Sequence, residues 1–424
     1  MYGTTLNRAS LLIFSLLLIA SQQAAAQAGH LDPTFGQGGI VTTDFGVRTA
    51  SAAAVTIQPD GKIVVFGGIT SPGSTVLTVV RYNTNGSLDT GFGIGGIATV
   101  SGLTFPSAIT LQPDGKIVGV GFNIGGFGGR GGIVVLRFSS NGTLDPTFGS
   151  GGIMTTGIVS VEVPSGVVVQ PDEKILIAEG ELIRLLPNGQ LDSSFGSGGQ
   201  AGVLNGNFGT PALALLPNGQ ILVSSGSLLG ASGFLPSSSY VSRYNSNGSL
   251  DTNFAISGLV GTTGPADALL LLSNGEFLVG GNLTHSPTGF GTLTTPIGFA
   301  VSRYQGVGMI DARYGSHGGA FTPVANFSTV VTSGLGVQSS GDIVILGTAS
   351  VPHTPQVFAL ARYTAAGQLD PTFGSNGTVT TSFGTTTLAA NGLATQSDGK
   401  IVAVGSFANS GGDSGFKLAR YLGQ

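Results

Sequence analysis

The sequence LDTGFGIGGIATV at residues 88–100 decides how this chain is interpreted. Its glycines at 91, 93 and 96 have the G-x-G-x-x-G spacing with which many enzymes bind the phosphates of a dinucleotide. In such sites the glycines lead into a helix, and the N-terminus of that helix binds the pyrophosphate. Here they lead into an apolar run that is typical of a strand. We therefore interpret Gly91, Gly93 and Gly96 as turn residues, and we expect no cofactor.

The same stretch recurs along the chain, which indicates a structural repeat rather than a single site. The copies are spaced 57, 56, 47, 59, 60 and 59 residues apart. They are LDPTFGQGG (31–39), LDTGFGIGG (88–96), LDPTFGSGG (144–152), LDSSFGSGG (191–199), LDTNFAISG (250–258), IDARYGSHG (310–318) and LDPTFGSNG (369–377). Self-similarity at a nearly fixed period is the sequence signature of a repeat architecture.

Each repeat carries two further signatures. The first is a turn, as in PDGKIVVFGG at residues 59–68, where Asp-Gly or Asn-Gly joins two apolar runs and indicates a hairpin. Glu173 replaces this glycine in the third copy, so we expect that turn to differ. The second is an apolar run ending in arginine, such as VVRY at residues 79–82. One unit is thus predicted to contain four short strands: A before the PDG turn, B after it, C ending in arginine and D after the glycines.

Taken together, the three signatures resemble the delta-60 repeat family of exported bacterial proteins, over essentially the whole chain after residue 28. The resemblance implies export and a β-propeller fold, and it brings no catalytic residues to this chain. Three features depart from the family pattern: the short third unit, Ala255 in place of a glycine, and the degenerate copy at residues 310–318.

The order of strands predicts how the repeats close. The chain after residue 28 starts with a D strand and ends with a C strand, and a linear stack would leave two unpaired edges. Pairing of residues 38–43 with residues 415–421 would remove them. We predict an all-β fold in which residues 29–424 form a single seven-bladed β-propeller, with four antiparallel strands per blade. Its last blade takes one N-terminal and three C-terminal strands, and the alternative is an open β-solenoid.

A charge pattern fits this closure. In six copies an arginine on strand C precedes the aspartate of LD by eight positions, so folding about the intervening turn places the two residues opposite each other. The pairs are Arg81–Asp89, Arg137–Asp145, Arg184–Asp192, Arg243–Asp251, Arg303–Asp311 and Arg362–Asp370. Arg420 and Asp32 are left over, and they meet if the ring closes. We interpret all seven as structural pairs at the surface, worth about 0.2 to 1 kcal/mol each.

The first 28 residues predict a secretory signal peptide that is cleaved. Arg8 provides a positive start, LLIFSLLLIA at residues 11–20 is the apolar segment, and AAAQA at residues 24–28 offers cleavage after Ala26 or Ala28. The apolar segment is about half of the ~20 residues needed to span a bilayer, so we expect no membrane span after cleavage. The predicted location is outside the cytoplasm, in the periplasm, at the cell surface or in the medium.

Charge and cysteine content narrow the possible partners. The net charge is −4, and lysines and arginines form no cluster, which argues against nucleic-acid binding. The chain has no cysteine, so no disulfide framework exists. We expect a monomer that binds an unidentified protein or glycan.

Any binding site is predicted on the loops that differ between blades. The A–B and C–D turns repeat, whereas the B–C and D–A loops at the opposite end of the ring vary and are free to carry function. The candidate ligand-binding residues are Phe127, Arg130, Phe234, His285, Phe290, His353 and Asp413.

An enzyme is the alternative interpretation. The A strands, such as AVTIQ at residues 54–58, contain no Asp, Glu, His, Lys or Arg, so we expect the central channel to lack the acid, base or metal ligands of a channel-centred enzyme. No catalytic constellation and no metal site are evident. An extracellular lyase or hydrolase acting on carbohydrate would have to use loop groups, and the candidates are His285, His353, Glu162, Asp267 and Asp413.

Overall fold

The structure is a computed structural model of the chain, and the described part is all β, with no helix. The described residues are 28–47, 49–71, 74–102, 105–123, 131–160, 163–202, 212–225, 239–262, 264–282, 298–384 and 387–424. Across these ranges, no helix is long and apolar enough to cross a bilayer. The predicted signal peptide, except Ala28, lies outside the described residues.

Seven sheets of four antiparallel strands form the blades of a β-propeller, which confirms the predicted fold class. Within each sheet the strands follow in the order A to D, from the central channel to the outside. Blade 1 is β2 (Thr49–Ile57), β3 (Ile63–Ser71), β4 (Ser74–Tyr82) and β5 (Ile97–Ser101); blade 2 is β6 (Phe105–Leu111), β7 (Ile117–Asn123), β8 (Gly131–Phe138) and β9 (Ile153–Ser160); blade 3 is β10 (Gly166–Val169), β11 (Ile175–Ala178), β12 (Glu181–Leu185) and β13 (Gln200–Gly202). Blade 4 is β14 (Leu213–Leu215), β15 (Ile221–Ser225), β16 (Tyr240–Tyr244) and β17 (Leu259–Gly261); blade 5 is β18 (Ala268–Leu271), β19 (Phe277–Asn282), β20 (Gly298–Tyr304) and β21 (Gly319–Pro323). Blade 6 is β22 (Thr329–Val337), β23 (Ile343–Ser350), β24 (Val357–Tyr363) and β25 (Thr378–Thr381); blade 7 is β26 (Thr387–Thr395), β27 (Ile401–Ala408), β28 (Ser414–Tyr421) and β1 (Ile40–Val47).

Blade 7 joins the two ends of the chain. Strand β1 pairs antiparallel with β28, so that Ile40 lies opposite Ala419 and Val41 opposite Leu418. Leu31 forms a further bridge with Tyr421. The first strand therefore completes the sheet formed by the last three, and hydrogen bonds join the two ends of the chain.

The turn between strands C and D of blade 7 is also assembled from both ends. Gly374 of blade 6 donates its N–H to the Ala28 carbonyl at 2.8 Å, and Arg362 donates to the Gly423 carbonyl. In blade 2 the corresponding two carbonyls belong to one continuous turn, residues 139–141. Ala28 is 2% exposed, so it belongs to the folded ring.

The arginine–aspartate pairs are largely buried, so the expectation of surface pairs is wrong. Arg137 and Asp145 are each 4% exposed, and Nε of the arginine lies 2.9 Å from Oδ2 of the aspartate. The corresponding distances in the other pairs are 2.7 Å for Arg81–Asp89, 2.8 Å for Arg184–Asp192, 2.8 Å for Arg243–Asp251, 3.0 Å for Arg303–Asp311, 2.8 Å for Arg362–Asp370 and 2.9 Å for Arg420–Asp32. Removing one partner of a buried pair costs about 3 to 5 kcal/mol, far more than at an exposed site.

Burial arises because each arginine also bridges to the next blade. The Arg137 guanidinium lies over the Phe148 ring at 4.7 Å from its centroid, and Nη1 donates to the Pro187 carbonyl of blade 3 at 2.5 Å. The ring that each arginine covers is fully buried; these rings are Phe35, Phe92, Phe148, Phe195, Phe254, Tyr314 and Phe373. One side chain thus connects strand C, its own C–D turn and the neighbouring blade.

The A–B turn of blade 3 does not differ from the others, contrary to the sequence-based expectation. Glu173 adopts φ +64°, in the same left-handed region as Gly61 at +81°. Its N–H donates to the Gln170 carbonyl at 2.9 Å, as that of Gly61 does to the Gln58 carbonyl at 2.8 Å. The hairpin geometry therefore imposes this conformation even on a residue with a Cβ atom, at some cost in strain.

Candidate functional site

The candidate functional surface is the channel mouth, the end of the central channel where the inner strands begin. A cavity of about 910 Å³ opens there, and residues from all seven blades line it. The D–A and B–C loops lie at this end, because strand A starts and strand B finishes there. The volume falls within the range of about 300 to 1,000 Å³ that is usual for small-ligand pockets.

Polar side chains surround this cavity at one recurring position of the inner strand. Four inner strands have a register shift relative to strand B, which leaves Ala53, Ser107, Ser333 and Asn391 unpaired. Ser165 and Asp267 hold the same position, directly before the first paired residue of β10 and β18. Bulges of this kind re-aim a side chain. We call the polar members of the set the polar collar: Ser107, Ser165, Asp267, Ser333 and Asn391.

The inner end of the cavity is apolar. Two residues further along the inner strands, large aliphatic side chains line it: Ile109, Val167, Leu213, Leu269 and Leu393. The channel mouth therefore combines an apolar floor with a polar rim, the usual composition of a small-molecule site.

Part of the collar is engaged in hydrogen bonds between blades. Ser333 donates its hydroxyl to the Ala390 carbonyl of blade 7 at 2.7 Å, and Ser107 donates to the Pro164 carbonyl of blade 3. Asn391 uses its side-chain oxygen to accept from Ser406 within blade 7. The hydroxyl oxygens of Ser107 and Ser333 can still accept a hydrogen bond from a ligand, and the Asn391 amide N–H groups can donate one.

Asp267 is the one ionisable residue among the described residues that line the channel mouth. Its Oδ2 accepts a hydrogen bond from Nδ2 of Asn282 at 3.1 Å. Asn282 in turn accepts from the Thr332 N–H of blade 6 at 2.7 Å, which fixes its amide with the NH₂ group toward the carboxylate. Within the described part of the chain, no cationic side chain contacts Asp267.

The electrostatics of Asp267 differ from those of the aspartates that support the ring. Burial raises the pKa of Asp267 to about 6, although the hydrogen bond from Asn282 acts in the opposite direction. Burial also tends to raise the pKa of Asp192, but hydrogen bonds from Ser194 and the charges of Arg184 and Lys174 lower it to about 2. Asp192 is thus stabilised as an anion, whereas burial disfavours the anionic form of Asp267 at the channel mouth.

Sequence analysis missed Asp267 as a residue of the channel lining. Asp267 comes one residue before Ala268, the first residue of β18, and so it lies outside the A strand as predicted from sequence. The channel lining extends beyond the strand by this one residue. Extending the aligned A strands by one residue at their N-terminal ends would have identified Asp267, since it aligns there with Ala53, Ser107 and Ser165 of other blades.

Of the seven predicted ligand-binding residues, His353 and Asp413 lie in the described part of the chain. Phe127, Arg130, Phe234, His285 and Phe290 lie outside the described residues, as does Glu162. His353 is exposed on the turn between β23 and β24, with φ +65°. Asp413 is exposed on the turn between β27 and β28, where Asn409 donates to its Oδ2 at 2.8 Å. Neither residue lines the channel mouth.

The charged groups that line a second cavity, at the opposite end of the ring, are paired. A cavity of about 590 Å³ between blades 7 and 1 is lined by Asp398, Lys400 and Arg420, among others. Nζ of Lys400 lies 2.9 Å from Oδ2 of Asp398, and Arg420 bonds to Asp32. In the described ranges, no cluster of three or more His, Asp or Glu side chains could hold a metal ion. This cavity therefore belongs to the framework of the ring.

A family model supports the class of protein that the fold defines. The family is described as a domain of unknown function (DUF5122) β-propeller, and its model matches residues 58–92, 112–148, 170–195, 216–254, 338–373 and 396–423. The chain is similar to this family over these six segments, and its own fold is a β-propeller. No curated protein matches the sequence.

Several solved structures are similar to the chain at low sequence identity. A catalytically inactive virginiamycin B lyase from Staphylococcus aureus, with quinupristin, is 10% identical, over 90% of this chain and 98% of that chain, with a TM-score of 0.45. A protein of unknown function from Dyadobacter fermentans is 10% identical, over 91% of this chain and 100% of that chain, with a TM-score of 0.44. The polysaccharide lyase Uly1 is 11% identical, over 88% of this chain and 89% of that chain, with a TM-score of 0.45. At these values the likenesses carry no argument about function.

The unpaired carboxylate should lower the stability of the fold at neutral pH. The pKa of Asp267 is about 6 in the folded chain and about 3.9 when unfolded, so the free energy of unfolding falls as pH rises from about 4 to about 6. Asn cannot ionise, and we expect Asp267→Asn to gain about 1 to 3 kcal/mol at pH 7.5 and almost nothing at pH 4. Urea unfolding at the two pH values measures the difference.

The matched control is Asp60→Asn, which removes a carboxylate from an exposed A–B turn and should change stability by less than about 0.5 kcal/mol. A gain for Asp267→Asn that is equal at both pH values, or a loss at pH 7.5, would contradict the assignment of an unpaired anion.

Proposed function

We propose that this chain is an exported, non-enzymatic β-propeller of the delta-60 repeat type that binds a protein or glycan partner at the channel mouth and the surrounding B–C and D–A loops. The observation that carries the proposal is the contrast between the two ends of the ring. At the end of the ring that carries the A–B and C–D turns, Lys400 and Arg420 are paired with carboxylates. At the channel mouth, Asp267 has no cation among the described residues, although burial disfavours its charge.

A binding role is favoured over catalysis by what surrounds this carboxylate. Its neighbours on the collar are neutral hydroxyl and amide groups, and no second described acid or base lines the cavity to exchange a proton with it. General acid–base catalysis usually requires such a partner within hydrogen-bond reach of the substrate. A set of fixed neutral donors and acceptors is instead suited to selecting a ligand.

The proposal of export is supported by the N-terminal sequence. Contacts of Ala28 within the folded ring favour one of the two predicted cleavage sites. Ala28 is buried, and its carbonyl accepts the Gly374 N–H, so cleavage after Ala28 would remove a residue that completes the last turn. We therefore expect cleavage after Ala26, and N-terminal sequencing of the exported protein should begin at Gln27. A mature chain that begins at Gly29, or one that retains Met1, would contradict this.

The binding surface can be tested by attaching the protein in two orientations. The chain has no cysteine, so Ser397→Cys on an A–B turn and His353→Cys on a B–C turn each provide a single attachment point at opposite ends of the ring. We expect ligands from a glycan array and from proteins of the cell envelope to bind about tenfold better when Ser397→Cys carries the attachment, because the loop end then stays accessible.

Equal binding in both orientations, or better binding through His353→Cys, would contradict the proposed surface. Chemical turnover of a bound glycan would contradict the non-enzymatic role and favour the carbohydrate-active enzyme instead. Both single-cysteine proteins should melt at the same temperature, since both sites are exposed turns.

A further inference from the structure

We propose that the channel mouth binds an amino sugar with a free amine, and that Asp267 holds the protonated nitrogen. The inference rests on the proposed function, because it names the ligand class for the same end of the ring. It is carried by three observations: a carboxylate that the framework does not need, the position of this carboxylate in the lining of a cavity, and a neutral hydrogen-bonding rim over an apolar floor.

The blade fold does not require an acid at this position. The equivalent residues of other blades are Ala53, Ser107, Ser165, Ser333 and Asn391, and in every case the inner strand pairs with strand B directly after this residue. Four of these carry a small polar group and one carries none. Among the described residues at this position, only that of blade 5 is an acid. The blade therefore folds without an acid here, and the aspartate has another role.

The geometry leaves the carboxylate able to accept further hydrogen bonds. Nδ2 of Asn282 donates to Oδ2, and Asn282 is itself held by the Thr332 N–H, so the carboxylate cannot turn away without breaking its hydrogen bond to Asn282. An ionised carboxylate has about four lone-pair sites, so acceptor capacity remains. A ligand ammonium would donate to the carboxylate in a charge-assisted hydrogen bond, which is shorter and stronger than a neutral one. It would also neutralise an anion that burial disfavours.

A metal ion is a poorer fit to this place. Calcium takes 6 to 8 oxygen ligands, usually from several carboxylates and carbonyls. The described lining residues offer one carboxylate, and the described chain contains no cluster of three metal-ligating side chains. A single fixed carboxylate matches an ammonium, which carries one positive charge and three N–H donors.

The rest of the cavity favours a sugar over a lysine side chain. Ser107, Ser333 and Asn391 keep hydrogen-bonding capacity at the rim beside their contacts within the ring, and this capacity complements the hydroxyls of a sugar ring. Leu269 and its counterparts on the floor offer an apolar surface for the C–H face of the same ring. A lysine side chain would pair with the carboxylate but has no hydroxyl groups to bond with the rim.

The test measures binding of glucosamine oligomers by calorimetry, against N-acetylglucosamine oligomers of equal length. We expect the free amine to bind at least about tenfold more tightly, because acetylation removes its charge. Asp267→Asn should lose this preference and bind both oligomers alike. Asp60→Asn, at the other end of the ring, should bind as the unaltered protein does, and since Asp267→Asn is expected to be more stable at neutral pH, a loss of binding would not reflect unfolding.

Equal affinity for the amine and the N-acetyl form in the unaltered protein would overturn the inference, as would unchanged amine binding by Asp267→Asn. Tight binding of a lysine-rich peptide with no binding of glucosamine oligomers would show a protein partner and overturn the ligand class. If the orientation experiment locates binding at the loop end while glucosamine oligomers do not bind, the proposed function stands and this inference fails alone.

Discussion

The fold depends on one constraint, that the first strand of the ring must join the sheet formed by the last three. Every blade except the seventh is contiguous in sequence, and each could stack on its neighbour in an open rod. Pairing of β1 with β28, together with the contact of Arg420 with Asp32, joins the ends instead. A central channel exists only because this closure is made, and Ser51 of blade 1 and Asn391 of blade 7 can line one cavity for the same reason.

The repeated arginine explains how the ring is held together without disulfides. In each blade one guanidinium contacts an aspartate of its own turn, a buried aromatic ring and a carbonyl of the next blade, as Arg137 does with Asp145, Phe148 and Pro187. The carboxylate, the aromatic ring and the carbonyl together offset the free energy that the guanidinium loses when it is removed from water. Because the same side chain serves strand register and blade packing, the pattern recurs in all seven blades, and these residues are therefore committed to structure rather than to a ligand.

Much of the fold could be predicted because the repeat encodes it locally. Turn glycines, PDG hairpins and the eight-residue arginine–aspartate spacing each specify one element, and counting them gives seven blades. The burial of Arg137 and Asp145 could not be predicted in the same way, because the atoms that cover them belong to the next blade. The expectation that the turn at Glu173 would differ was wrong, because the hairpin holds Glu173 in the left-handed conformation that usually favours glycine.

The candidate site was harder to predict, since it depends on a residue that directly precedes the inner strand. Asp267 comes just before the first paired residue of β18, and the point at which two strands begin to pair is not displayed by either strand alone. Loop residues such as Phe127 and His285 have no counterpart in other blades, so no repeat pattern fixes their positions. The site is therefore defined by where the inner strands begin rather than by the aromatic and histidine residues that attract attention in the sequence.

The most direct test of closure is a disulfide across the joined ends. Thr42 and Lys417 are opposite each other on β1 and β28, with Nζ of the lysine 2.6 Å from Oγ1 of the threonine, and the chain has no cysteine of its own. Residues opposite each other in antiparallel strands are about 4.5 to 5.5 Å apart at Cα, within the range that a disulfide spans. Thr42→Cys with Lys417→Cys should oxidise to a monomer whose two ends are covalently linked, whereas Thr42→Cys with Ser150→Cys, on another blade, should not. A Thr42–Lys417 pair that stays reduced, or that links only separate chains, would contradict a closed ring.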